Sequence, residues 1–184
     1  MSRSLVLAVS LCALAACGSE TSEPRTADEV IAEAGQLEAP RPGQYETSVE
    51  VIEFSIPGLP PQQAEQMKAM MGQMGARASA YCLTPEEAEK GFEESVRKMT
   101  EGTGDMKCEF ARFAVDDGEL DAALTCTGPQ GMDAEIELSG TAGAESSAMR
   151  MKMVQKAAMI PGGEMRVEMQ TNSRRTGDCP SSNS

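Results

Sequence analysis

Residues 107–127 read KCEFARFAVDDGELDAALTCT, and this stretch decides the fold. Two runs flank Asp116-Asp117-Gly118. In the second run Leu120, Ala122, Leu124 and Cys126 alternate with Glu119, Asp121, Ala123 and Thr125. Side chains on a strand point to opposite faces in turn, so a period of two with one apolar phase marks a half-buried strand. Asp-Gly supplies the positive φ that a tight hairpin turn requires. The stretch therefore predicts a β-hairpin with one wet face and one apolar face.

The same pattern continues downstream. DAEIELSG puts Ala134, Ile136 and Leu138 on one face and Glu135 and Glu137 on the other. Met149, Met151 and Met153 alternate with Arg150 and Lys152. After a loop ending Pro161-Gly162-Gly163, Met165, Val167 and Met169 alternate with Arg166, Glu168 and Gln170. Upstream, Tyr45, Thr47, Val49 and Val51 share a face. The apolar phase then passes to Ile52, Phe54 and Ile56, which predicts a bulge or bend near Val51.

Two helices interrupt the early strands. PQQAEQMKAMMGQMGA places Met67, Met70, Met71 and Met74 at i, i+3, i+4 and i+7. TPEEAEKGFEESVRKMT starts with Thr84 as a cap and Pro85 at the first position, with Ala88, Phe92 and Val96 as its apolar stripe. RASAYCL between them reads as a short strand. The expected class is mainly β (α+β): an antiparallel meander of about six or seven strands, a curled sheet or partial barrel, with two inserted helices and two disulfides.

The amino terminus gives an address. Arg3 precedes an apolar run from Leu5 to Leu14, too short to span a bilayer. The run ends Leu14-Ala15-Ala16-Cys17, which resembles the bacterial lipobox. That resemblance implies a lipoprotein signal peptide over residues 1–16 and a lipid on Cys17. With Gly18 rather than Asp next, it also implies anchoring to the outer membrane, facing the periplasm. Residues 17–42, polar and proline-bearing, read as a lipidated flexible tether, although TADEVIAEAGQL within it suits a short helix. The folded domain is then 43–179, with a disordered tail at 180–184.

Cys12 leaves with the signal and Cys17 carries lipid, so Cys82, Cys108, Cys126 and Cys179 remain. Four cysteines in an oxidising compartment read as two disulfides, and three connectivities are open. We favour Cys82–Cys108, stapling the second helix, with Cys126–Cys179 tying the last segment to the sheet. The alternative joins Cys108 to Cys126 across the Asp-Gly hairpin and Cys82 to Cys179. Zinc is disfavoured, because structural zinc sites draw cysteines from close pairs.

Composition excludes several functions. The chain has no histidine, which removes Ser-His-Asp and Cys-His nucleophile systems and imidazole acid–base chemistry. Its net charge of −13 at pH 7 argues against nucleic acid. Aromatic residues are 3% with no Trp, so a stacking platform for bases or sugars is not expected.

The landmarks RPGQYETSV, IPGLPPQQAEQMKAMMGQM, YCLTPEEAEKG, MKCEFARF…DDGEL…LTC and RRTGDC stand in one order over about residues 41 to 179. In this the chain resembles a bacterial family of secreted domains of unknown function, numbered 3617 among such families. Tyr45 stands where Trp is common in that family. The resemblance implies a periplasmic or lipid-anchored domain with paired cysteines. It transfers no activity and no catalytic residue.

The expected function is a non-catalytic binding or scaffolding domain at the envelope, with no cofactor. It would meet the membrane through the lipid on Cys17 and bind a hydrophobic ligand or a protein partner. Met67, Met70, Met71, Met74, Met149, Met151 and Met153 are the candidate contacts, because flexible thioether side chains adapt to varied apolar surfaces. The same residues could instead bind a soft metal such as Cu(I). Carboxylate-based catalysis is the remaining alternative, with no pair among the 29 Asp and Glu singled out.

Overall fold

The computed structural model describes residues 24–75, 79–101 and 106–180. The expected signal segment, Cys17 and the tail beyond Pro180 lie outside the described residues. Seven strands form one antiparallel sheet: β1 (Gly43–Ser55), β2 (Ser79–Leu83), β3 (Lys107–Asp116), β4 (Glu119–Gly128), β5 (Met132–Ala142), β6 (Ser146–Lys156) and β7 (Glu164–Gly177). Their spatial order is β2-β1-β7-β6-β5-β4-β3, so the sheet is not closed. The helices are α1 (Ala27–Ala34), α2 (Pro61–Gly75), α3 (Pro85–Lys90) and α4 (Glu93–Glu101).

The hairpin turn is as its sequence requires. Asp117 and Gly118 take φ of 47° and 79°, the primed geometry that matches strand twist. Val51 pairs with Met169 and Glu53 with Glu168, leaving Ile52 as the extra residue of a bulge. Phe54 thereby returns to the face that holds Val51. A second bulge lies between Phe110 and Arg112, and it turns both Phe110 and Phe113 to the core face.

Register places the inward residues in rows across the sheet. One row runs Phe110, Leu124, Ile136, Met153, Val167, Phe54; the next runs Phe113, Ala122, Leu138, Met151, Met169, Val51. Three of the helices, α1, α2 and α4, pack against the outer strands of the sheet. α1 and α4 pack on β3 and on each other, and α2 packs on β1. Val30 and Val96 are 0% and 2% exposed and join Phe110, Phe113, Ala122, Leu124 and Cys126 in one cluster. Met71 joins Phe54, Ile56 and Val167 in another.

Three sequence expectations are corrected here. First, residues 24–42 are not a free tether. The Arg25 N–H donates to the Phe110 carbonyl oxygen at 2.8 Å, the Arg25 guanidinium donates to that of Phe113, and Glu33 accepts from the Val115 N–H. This segment satisfies the open edge of β3, and edges left bare are prone to mispairing. It also buries Val30, Ala34 and Leu37. The ordered fold therefore begins by Pro24, not at Gly43.

Second, the disulfides are Cys82–Cys179 and Cys108–Cys126. Strand order explains why Cys82–Cys108 and Cys126–Cys179 do not form. Cys82 and Cys108 sit on opposite edges of the sheet, six strand spacings or roughly 28 Å apart. Cys108 and Cys126 are direct cross-strand partners with Cα atoms 4.0 Å apart. Third, the second inserted helix is two helices. Gly91, with φ of 52°, ends α3 before α4 begins.

Candidate functional site

The inner face of the sheet is roofed at both margins and thinly covered between them. On one side stand α1 and α4, and on the other α2. The β3–β5 side contributes Ile136 and Leu138 to the first cluster, and the β1–β7 side contributes Met153 and Met169 to the second. Met149 and Met151 belong to neither cluster and are half-buried. They are cross-strand partners of Gly140 and Leu138 on one side and of Thr171 and Met169 on the other. Between the helices this leaves a strip of sheet face, called the trough below, that carries Leu138, Met149, Met151 and Met169. Gly140 adds depth, since it presents no side chain in the row of Met149.

The floor exists because of local sequence. Arg150 and Lys152 alternate with the three Met of β6, so those Met can only point to the other face. Outward, Arg150 pairs with Glu168 and Lys156 with Glu135. The Lys156–Glu135 pair is exposed and adds little stability, and both pairs keep the charges of β6 off the floor.

One wall carries the other Met group. α2 has no fully buried residue. Of its four Met, only Met71 reaches the core. Met67, Met70 and Met74 are 37%, 56% and 64% exposed, on the same flank of the helix as Met71. α2 is held by the Lys68 ammonium, which donates to the Ile52 carbonyl oxygen at the bulge, and by Gly75. A Cβ on Gly75 would lie 2.9 Å from the Val49 carbonyl oxygen, so glycine permits the approach of helix to strand.

Toward the β5–β6 turn the floor becomes polar. Thr171 pairs with Met149, and Ser147, Ser173 and Thr47 form the next row, with the Thr47 hydroxyl 3.0 Å from that of Ser173. Beyond them Tyr45 is 4% exposed and stacks on Tyr81 with ring centroids 5.5 Å apart. Its hydroxyl donates between the carbonyl oxygens of Arg41, at 2.8 Å, and Ala144, at 3.0 Å. Burial, and then the neighbouring Tyr81, push the Tyr45 phenol above its ordinary value, so it stays protonated.

The candidate contacts thus divide. Met149, Met151 and Met153 share the inner face as the alternation requires, and Met71 lies in one cluster with Met153. Met67, Met70 and Met74 stand exposed on α2. Sequence reasoning passed over Met169 as a site residue. The signal was present, since hairpin register sets it opposite Met151. An acidic recess of about 550 Å³ lies elsewhere, beside the hairpin turns, with Glu38, Asp116 and Asp117 at its edge. Among the described residues no group of three or more Cys, Asp or Glu is placed to hold a metal ion, and no helix is long and apolar enough to cross a membrane.

Comparison with protein families matches residues 40–179 to the family described as protein of unknown function, DUF3617. No curated protein and no solved structure matches the chain.

Proposed function

The chain belongs to the DUF3617 family of proteins of unknown function, and from that premise we propose that it is a non-catalytic, lipid-anchored envelope domain whose trough binds a hydrophobic ligand. The observation that carries this reading is the position of Met149 and Met151. They lie on the core face of a sheet, yet outside both clusters that the helices complete. Apolar surface left on the inner side of a fold, with a rim of flexible Met, suits adaptable apolar contact. The lipobox-like Leu14-Ala15-Ala16-Cys17 supports the anchor and an outer-membrane, periplasm-facing address.

Native mass spectrometry of the protein purified from its own membranes tests both parts. The expected result is a mature chain beginning at a lipidated Cys17, carrying a small apolar molecule. That molecule should be lost from Met151→Asp. A chain purified repeatedly without any bound apolar species, and equally stable as Met151→Asp, would sink the ligand reading.

The soft-metal reading has one observation in its favour: Met67, Met70 and Met74 stand in solvent on one flank of α2. Three thioethers suit Cu(I). Titration with Cu(I) against a competing chelator should then show uptake at one equivalent, abolished by Met70→Leu with Met74→Leu. Uptake that the chelator prevents entirely would end it.

A further inference from the structure

We propose that the occupant of the trough is an acyl chain of a zwitterionic phospholipid, drawn from the bilayer that holds Cys17. This rests on the ligand reading and the anchor given above, and it adds the ligand's source and class.

Chain length makes the first part of the case. The fold begins by Pro24, where Arg25 is already bonded to β3. From Cys17 to Pro24 the chain reaches at most about 25 Å when extended. A domain of this size has a radius of gyration of about 15 Å and a width of roughly 40 Å. The leash is shorter than the domain is wide, so the domain stays against the membrane. Tethering of this kind raises effective concentration without any new contact. The apolar chains it meets in excess are those of the bilayer.

The inner face of β6, from Met153 in the cluster under α2 to Met149 on the floor, covers about 14 Å. One leaflet of hydrocarbon is about 15 Å deep. Past Met149 the floor turns to the hydroxyls of Thr171, Ser147, Ser173 and Thr47. An apolar chain laid on the thioethers would therefore carry its polar end into a strip of neutral hydrogen-bonding groups.

Charge selects the headgroup. The whole chain carries −13 at pH 7, a field that repels anions. The floor offers no free cation to offset it. Arg175, which follows on the same face, already donates to the Pro42 carbonyl oxygen and to Asp178. A zwitterionic headgroup avoids that repulsion, whereas an anionic phospholipid or a free fatty-acid carboxylate does not.

The test uses the full lipidated chain in phosphatidylcholine–phosphatidylethanolamine vesicles. One arm contains a phosphatidylcholine with a photoreactive diazirine in its acyl chain. A second arm contains a free, uncharged alkyl diazirine. A third contains an anionic phosphatidylglycerol with the same acyl diazirine. Adducts are mapped by peptide mass.

The expected result is phosphatidylcholine adducts on the β6 peptide that carries Met149 to Met153. They should fall about tenfold or more in Met151→Asp, which would set an unpaired charge on the floor. The milder Met149→Ser should weaken them in the same direction. Lys152→Gln, on the opposite face, should leave them unchanged. If the free alkyl probe labels β6 and neither phospholipid does, the lipid source is overturned while the ligand reading stands. Equal labelling by phosphatidylglycerol overturns the headgroup assignment. If no probe labels β6, the ligand reading falls as well.

Discussion

At Gly140 the backbone takes φ of 152°, and a Cβ there would lie 2.0 Å from the Ala148 carbonyl oxygen. The obstacle is backbone, so no side chain can swing aside. Gly140→Ala should lower unfolding stability by roughly 1–3 kcal/mol, the range for a strained φ, read as an earlier urea midpoint with the slope unchanged. An unchanged midpoint would mean that β5 and β6 can separate locally, and that the floor is softer than its register implies. Two capping glutamates set a pH dependence at the same scale. The Thr26 and Thr84 N–H and hydroxyl groups donate to Glu29 and Glu87 and hold both carboxyls below the ordinary value of 4.5. The folded state then binds these protons less readily than the unfolded chain. The stabilisation is present above pH 4.5 and is lost as pH falls through the lowered values. Thr26→Ala with Thr84→Ala removes the hydroxyl donors and leaves the N–H donors, so it should partly flatten this acid limb of a thermal-melting series; an unaltered limb would assign it to the N–H bonds or to other carboxylates.

Among the elements, α2 is the least secured. It buries no residue fully, whereas α1 holds Val30 at 0% exposure and α4 holds Val96 at 2%. Opening free energy follows buried apolar contact. Amide hydrogen exchange should therefore run fastest in α2 and slowest in α1 among these helices, and the opposite order would refute α2 as a loose wall. The disulfides differ in reach as well. Cys82–Cys179 spans 97 residues and Cys108–Cys126 spans 18, which in the loop-entropy account is worth about 4.7 and about 3 kcal/mol. How far these elements could be read in advance depended on the range of the forces that fix them. The strands were legible because alternation is local, and the bulge at Ile52 because it shifts that alternation. The bulge between Phe110 and Arg112 leaves the same mark, since Phe110 and Phe113 are three apart and both face the core. The cysteine pairing needed strand order, which no local pattern carries. The Met groups were legible as faces, yet only tertiary packing decides that Met71 is inside and Met74 outside.

For the whole molecule, the start of the fold was the least legible feature, and it bears most on the proposed function. Residues 27–34 have the composition of a short amphipathic helix, and nothing local tells a docked helix from a free one. What docks it is β3, some eighty residues away, through Arg25, Glu33 and the cavity that Val30 fills. Net stability of a domain is only about 5–15 kcal/mol. Burying Val30 alone is worth roughly 1.5–3 kcal/mol, and Ala34 and Leu37 are buried with it. A chain running from Gly43 to Pro180 would also bare Phe110 and the open edge of β3. It should unfold in a broad, weakly cooperative transition and bind an apolar dye such as Nile red, while a chain from Pro24 to Pro180 melts sharply. Equal, sharp transitions for both would make α1 dispensable. Under the proposed lipid anchor, the leash would then run to residue 42, long enough for the domain to swing clear of the bilayer. On the proposed anchoring at Cys17, a close hold on the membrane surface would depend on α1 as much as on the lipid.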